Sequence, residues 1–283
     1  MVHNHEHHSH EHVHQLSSLN KSFIIGITLN ILFVLVEFGI GFYYDSLGLL
    51  SDAGHNLGDV ASLVLAMLAF RLTKVHPNSR YTYGYKKSTV LVSLLNAVIL
   101  LVAVGIIIAE SIGKLLHPTP VEGAAIAWTA GVGVVINAVT AWLFMKDKEK
   151  DLNVKGAYLH MAADTLVSVG VVISGIIIMY TGWTIVDPII GLVIAVIIVI
   201  STWGVLHDSL RLSLDGVPVG IDTEKIEQLI LSQPGVVGCH HLHIWALSTT
   251  ETALTVHIVL DEMNHMEEAK YLIRHALEDA GIH

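Results

Sequence analysis

Six long apolar stretches make up most of the chain. Each contains about 20 residues or more, which at about 1.5 Å per residue lets a helix cross a hydrocarbon layer of about 30 Å. Only helices and closed barrels satisfy every backbone hydrogen bond inside lipid, so runs of this length predict six transmembrane helices. The stretches are residues 23–43, 49–71, 89–116, 121–144, 153–180 and 185–207.

The pattern changes after residue 207, where charged and polar residues return. Residues 222–232 and 266–280 have the spacing of amphipathic helices, and residues 236–247 and 253–260 between them alternate as strands do. The order helix, strand, strand, helix predicts a small α+β domain over residues 208–283. Twelve acidic and four basic residues make this domain strongly acidic.

The first 22 residues are polar and contain seven histidines. A segment of this kind cannot bury an apolar face, which predicts a disordered His-rich tail over residues 1–22. The histidines are interleaved with Glu, Ser and Asn, which favours a natural metal-loading tail; an expression tag is the alternative. The six spans at 23–207 then form the membrane domain.

Lys and Arg residues are concentrated in the second and fourth loops between the apolar stretches, whereas the first and fifth loops hold none. Basic loops remain on the cytoplasmic side of a membrane. With six spans, both termini and the C-terminal domain are expected in the cytoplasm.

Composition narrows the possible functions. Hydrophobic residues form 53% of the chain and charged residues 14%, against about a quarter charged in soluble domains. The formal net charge of −10 argues against a nucleic-acid partner. Cys239 is the single cysteine, so neither an intrachain disulfide nor a zinc cluster built on cysteines is possible.

Two pairs of ionisable residues lie inside predicted spans, His55 with Asp59 and His160 with Asp164. Residues four apart share one face of a helix, so each helix presents one imidazole and one carboxylate to the same side. If the faces meet, two nitrogens and two oxygens form a tetrahedral set suited to Zn²⁺, and two aspartates balance the charge of the ion. The alternative is a hydrogen bond within each helix.

Other polar residues in the spans carry weaker signals. Glu37 and Glu110 either line a water-filled path that relays protons or make ordinary interhelical hydrogen bonds. Asn30, Asn96 and Asn137 are interpreted as hydrogen-bonding links between helices rather than metal ligands.

Three stretches carry a resemblance to a known family. They read SLGLLSDAGHNLGD at 46–59, NVKGAYLHMAADTLVSVGV at 153–171 and DPIIG at 187–191. They resemble signatures of the second, fifth and sixth helices of the cation diffusion facilitator family, and the chain is closest to its bacterial cobalt–zinc–cadmium resistance branch. The resemblance implies a homodimeric, proton-coupled antiporter of the inner membrane that exports Zn²⁺, with Cd²⁺ and Co²⁺ as further candidates. It puts the transport ligands on His55, Asp59, His160 and Asp164.

The resemblance also implies a ferredoxin-like, metallochaperone-like cytoplasmic domain, in which zinc acts as a regulatory ligand. Its ligands fall on His240 and His257, with His241 and His243 nearby, and exposed strand histidines without a metal are the alternative. The family's domain continues into a third strand that is expected about where residues 281–283 lie, so we expect this domain to lack its last strand. Tyr81 and Tyr85 replace histidines of a loop site found in some members, so no such site is expected.

Two other function classes compete with transport. A membrane metal sensor or buffer would use the tail and the C-terminal domain but leaves the intramembrane pairs unexplained. An intramembrane zinc hydrolase needs an open coordination position for water, which two histidines and two aspartates do not leave. The sequence therefore predicts a transporter and not an enzyme.

Overall fold

The computed structural model describes residues 7–43, 47–117, 123–149, 151–183, 185–280 and 282. Within these ranges the description excludes the side chains of residues 7–20, 40, 41, 47–55, 123–130, 171, 174, 175, 178, 179, 187 and 279. The predicted tail residues 1–6 therefore lie outside the described part of the chain.

Long helices form the first part of the protein and a small α+β domain forms the second. The elements are α1 (His7–Tyr43), α2 (Leu47–Leu72), α3 (Ser88–Leu116), α4 (Gly123–Met145), α5 (Leu152–Thr181), α6 (Val186–Ser213), α7 (Thr223–Leu231), β1 (Val236–Ala246), β2 (Thr252–Leu260) and α8 (Met266–Asp279). A 3₁₀ turn, Met263–His265, precedes α8. The α+β order predicted for the C-terminal region is confirmed.

The long helices have the apolar character of an integral membrane protein. Within the described residues, three segments are long and apolar enough to span a membrane: Lys21–Gly39, Ser88–Leu116 and Pro188–Ser213. Gly131–Met145, in α4, is a shorter apolar helix. Helices α2, α4 and α5 include residues whose side chains are not described, so the number of six spans stays a prediction.

Two helix ends differ from the sequence prediction. Helix α1 begins at His7, inside the segment that we predicted to be disordered up to residue 22. Residues 7–22 contain neither Gly nor Pro, and extending an existing helix avoids the cost of a new nucleus. Helix α6 continues to Ser213, because Ser209 is buried with its hydroxyl 2.8 Å from that of Ser93 and Leu212 is buried as well.

The helices pack in pairs, with α4 along α5, α3 along α6 and α1 along α2. Phe23, Phe70 and Phe144 form a buried aromatic cluster between α1, α2 and α4, with ring centroids 4.8 and 5.6 Å apart. Gly170 lets α5 approach α6 closely, because a Cβ there would lie 2.5 Å from Ile194 Cδ1. The close approach at Gly170 holds α5 against α6.

The C-terminal domain has one apolar core beneath a two-stranded antiparallel sheet. Ile226, Ile230, Ile244 and Ile273 are buried there, and they come from α7, β1 and α8. Asp222 caps α7 by accepting hydrogen bonds from the backbone N–H groups of residues 224 and 225. These hydrogen bonds hold the pKa of the exposed Asp222 carboxyl below its ordinary value.

The turn between β1 and β2 is fastened to the helical part. The Thr249 backbone N–H donates to Thr89 Oγ1 at 3.1 Å, and its hydroxyl donates to Asp151 Oδ2. Asn153 Nδ2 donates to the Thr89 carbonyl at 2.9 Å. The hairpin therefore contacts the first turns of both α3 and α5.

Lys87 makes a second connection at the same junction. Its ammonium group donates to the carbonyls of Leu212 and Ala246 at 2.8 and 3.1 Å and to Asp215 Oδ1 at 2.6 Å. Lys86 pairs with Glu251 on the hairpin. The basic second loop thus lies on the side of the C-terminal domain.

Asp151 is the N-cap of α5, and its removal should destabilise the protein. Its Oδ1 accepts from the N–H groups of Asn153 at 2.7 Å and Val154 at 3.1 Å. Asp151→Ala should lower the free energy of unfolding by about 1 kcal/mol, whereas Asp151→Asn keeps an acceptor oxygen and should not be destabilised. Thermal unfolding in detergent measures both variants, and equal midpoints for the wild type and the Ala variant would contradict a capping role.

The same residue predicts a pH dependence. Burial raises the pKa of the Asp151 carboxyl from its ordinary value of 3.8, against the hydrogen bonds that it accepts. A raised pKa in the folded state means that the folded protein binds the proton more tightly than the unfolded chain does. The wild type should therefore lose stability relative to Asp151→Asn as the pH rises through the raised pKa.

Candidate metal centre

Three ionisable side chains converge between α2 and α5. His160 Nε2 lies 2.6 Å from Asp59 Oδ1 and 3.8 Å from Asp164 Oδ2. One ligand atom from each residue lies within 4.8 Å of the others, which is close enough for one metal ion. Asp59 and His160 are only 2% and 6% exposed, so the group is shielded from solvent.

Helical spacing explains why His160 and Asp164 lie together, and the packing of α2 against α5 explains why Asp59 joins them. His160 and Asp164 are one turn apart on α5, as predicted, and Asp59 reaches them from α2. The alternative in which each pair bonds only within its own helix is wrong for His160, because its nearest carboxylate lies on α2. His55 lies one turn before Asp59 in α2, but its side chain is outside the described residues.

The acidic residues of α1 and α3 have different surroundings. Glu37 is buried, and its Oε2 accepts a hydrogen bond from Asn56 Nδ2 at 2.7 Å. Asn56 lies three residues before Asp59, so this interhelical bond fixes α2 against α1 beside this candidate metal ligand. Glu110 is exposed on α3. A proton-relay role for either residue stays a prediction.

Asn30 makes the interhelical link that the sequence suggested. Its amide donates to the Gly26 carbonyl at 2.9 Å and to Thr140 Oγ1 at 3.3 Å, which joins α1 to α4. Asn96 and Asn137 are also buried.

A second group of possible ligands lies on the β-hairpin. His240 and His257 are opposite each other in the pairing of β1 with β2, and their ring centroids are 5.3 Å apart. His241 joins them, with its Nδ1 2.8 Å from Nδ1 of His240. The three exposed histidines bring ligand atoms within 4.8 Å of one another, whereas His243, opposite Thr255, is not part of this group.

A bulge in β1 brings His241 to this group. Neighbouring residues of a regular strand point to opposite faces, so His240 and His241 should not meet. The register shifts between His240 and His243, and His241 adopts a φ of 54°. Such a φ is costly for a residue other than glycine and is often found at functional sites. The sequence named His241 only as a neighbour of the expected ligands, and the bulge is what makes it the third histidine of the group.

Comparisons with known proteins match both parts of the chain. Residues 23–212 match the cation efflux transmembrane domain, and residues 218–280 match the cytoplasmic domain of cation efflux proteins. The zinc transporter ZitB of Escherichia coli is 34% identical over 98% of this chain and 91% of its own length. The cadmium, cobalt and zinc/H(+)-K(+) antiporter of Bacillus subtilis is 34% identical, over 88% of this chain and 82% of its own length.

The metal cation efflux system protein CzcD of Cupriavidus metallidurans is a further relative, 36% identical over 89% of this chain and 82% of its own length. The family resemblance seen in the sequence is thus confirmed over the helical part and the C-terminal domain alike. This chain belongs to the cation efflux family.

Proposed function

We propose that this chain exports Zn²⁺ from the cytosol in exchange for protons, through an intramembrane site formed by His55, Asp59, His160 and Asp164. The observation that carries the proposal is the buried group of one imidazole and two carboxylates between α2 and α5. Ionisable groups inside a membrane domain are costly and mark ion pathways. The names of the Escherichia coli and Bacillus subtilis relatives support zinc as the cargo. The Bacillus subtilis name also supports protons as an exchanged ion and adds cadmium and cobalt as candidate cargoes.

The donor set suits zinc. Imidazole nitrogens and carboxylate oxygens are ligands that Zn²⁺ binds in a tetrahedral arrangement. His55 is proposed as the fourth ligand, because residues one turn apart on α2 share a face with Asp59. Two aspartates balance the charge of the ion, so the loaded site is neutral in a medium that penalises net charge.

The exchange of zinc for protons follows from the chemistry of the ligands. Zinc binds neutral imidazole and ionised carboxylate, so zinc and protons compete for the same atoms. A site open to the cytosol loads zinc, and protonation by a more acidic exterior releases it. Movement of α2 and α5 relative to their neighbours would switch access between the two sides.

The contacts at the junction support the proposed orientation. The basic loops that end at Lys87 and precede Asp151 both lie beside the C-terminal domain. Basic loops are cytoplasmic, so the domain and both termini are proposed to lie in the cytoplasm of a bacterial cell with the helices in its inner membrane. The match to the cytoplasmic domain model of the family supports assembly as a homodimer.

Zinc flux into sealed vesicles tests the proposal. Purified protein in liposomes that contain a zinc indicator should take up Zn²⁺ faster than protein-free liposomes. Zinc binding without flux would instead favour a sensor or buffer. Hydrolysis of a membrane substrate would favour an enzyme.

We further assign His240, His241 and His257 to a regulatory zinc site on the cytoplasmic side. Three histidines leave a fourth position for water, and the turn of the same hairpin contacts α5 through Thr249 and Asp151. Occupancy of the hairpin can therefore influence the helix that carries His160 and Asp164.

The third histidine makes this regulatory site testable. His241→Ala and His257→Ala should each weaken zinc binding at the exposed site by roughly tenfold or more, because each removes one of three ligands. His243→Ala is the matched control, since His243 is an exposed histidine of the same strand outside the group. Calorimetric zinc titration of the full-length protein measures the affinities. Unchanged zinc affinity in the His241 variant would show that the bulge does not contribute to metal binding.

A further inference from the structure

A small cavity adjoins His160 where α2, α3 and α5 meet. Its volume is about 10 Å³, and its lining includes His160, Asn96 and Ser62. The Gly156 and Ala157 that also line it lie about one turn before His160 on α5. The cavity is therefore on the side of the metal centre that faces the C-terminal domain.

Asn96 presents a buried carbonyl oxygen that is not hydrogen-bonded. The residue is 8% exposed, and its amide nitrogen donates to the Ser62 carbonyl at 3.5 Å. Its Oδ1 makes no hydrogen bond within the described part of the chain. Leaving a buried acceptor unpaired costs stability, so the unpaired Oδ1 of a residue that lines a cavity points to a ligand there.

His160 offers the matching donor. Its Nε2 faces the carboxylates of Asp59 and Asp164, which leaves Nδ1 as the second ring nitrogen. No hydrogen bond to Nδ1 is present among the described residues. A histidine that binds a metal through Nε2 carries its proton on Nδ1, and this N–H is normally held by a carbonyl, a carboxylate or a water molecule.

We propose that one ordered water molecule occupies this cavity, accepts a hydrogen bond from His160 Nδ1–H and donates one to Asn96 Oδ1. The volume fits one water molecule and excludes a hydrated cation. Ser62 provides a further polar neighbour. Asn96 is then a positioning residue that acts through the water to keep the Nε2 lone pair of His160 directed at the metal. This inference rests on the proposed function, because it assigns a role in metal binding to His160.

The test uses substitutions that preserve size but change hydrogen bonding. Asn96→Leu removes the acceptor and should weaken zinc binding at the intramembrane site by roughly 10- to 100-fold, the usual effect of losing an outer partner of a metal-binding histidine. Asn96→Asp keeps an acceptor oxygen, and its zinc affinity should stay within about threefold of the wild-type value or exceed it. Asn96→Ala serves as the second variant if the Leu variant does not fold.

Asn137→Leu is the matched control, because Asn137 is a buried asparagine of α4 whose Oδ1 likewise makes no hydrogen bond among the described residues, and it does not line the cavity. Zinc titration of the full chain in detergent measures the affinities. The zinc-binding component that disappears in His160→Ala is assigned to the intramembrane site. In the zinc-loaded protein the ¹⁵N chemical shifts of His160 should report a neutral ring protonated at Nδ1, with a changed Nδ1 environment in Asn96→Leu.

The outcomes separate this inference from the proposed function. If His160→Ala removes no binding component, the intramembrane site itself is wrong. If that component is lost but Asn96→Leu binds like the wild type, the bridging water is wrong and the transport site stands. Equal losses in Asn96→Leu and Asn96→Asp, or in Asn96→Leu and Asn137→Leu, would also overturn the inference, because packing would then account for the effect.

Discussion

Asp59→Asn is expected to lower the initial rate of zinc uptake at least 100-fold, which corresponds to about 2.8 kcal/mol at 1.4 kcal/mol per factor of ten. The substitution keeps the shape of the side chain but replaces the charged carboxylate of a proposed zinc ligand by a weakly binding amide. It also removes the carboxylate that lies 2.6 Å from His160 Nε2, so the imidazole loses its closest partner. Flux into liposomes at saturating and at limiting zinc measures the loss.

Glu110→Gln is the control for this substitution. It also neutralises a carboxylate in a membrane helix, but Glu110 is exposed on α3 and is not part of the group around His160. Its zinc uptake should remain within about twofold of the wild type. Normal uptake by Asp59→Asn at a matched protein amount would contradict the role of Asp59 as a ligand, whereas a large loss in Glu110→Gln would instead support the proton-relay role predicted for Glu110.

The sequence predicted the main features of this site because they depend on local spacing. Helical periodicity put His160 and Asp164 on one face, and the long apolar runs located α2 and α5 to within two residues at each end. The side on which the hairpin joins the helices followed from the distribution of basic loop residues. Each of these features is encoded by neighbours along the chain.

Features that depend on distant contacts could not be predicted in this way. His241 joins the exposed histidines only because a bulge changes the direction of its side chain. The contacts of Thr249 with Thr89 and Asp151 join positions about 100 to 160 residues apart. The sequence predicts Asn96 as a link between helices, but only the packed structure reveals that its side-chain carbonyl has no hydrogen bond among the described residues and that the residue lines a cavity.

Zinc uptake should depend on the pH difference across the membrane if zinc and protons use the same ligands. In vesicles with the C-terminal domain outside, the lumen stands for the exterior of the cell. An acidic lumen should accelerate zinc uptake, because protonation of His160 and the aspartates releases zinc there. Each zinc ion delivered should make the lumen more alkaline, and a proton ionophore should slow the flux.

The size of the sustained zinc gradient tests the coupling most sharply. With the membrane potential held at zero by valinomycin and equal K⁺, each proton exchanged per zinc raises the sustained zinc ratio about tenfold per pH unit, since one pH unit is worth about 1.36 kcal/mol per proton. His160→Ala should abolish both the zinc gradient and the alkalinisation. A zinc flux that ignores the pH difference would contradict exchange. Zinc-driven alkalinisation that survives in His160→Ala would instead assign the protons to another group, and the buried Glu37, bonded to Asn56 beside the site, would be the next residue to replace.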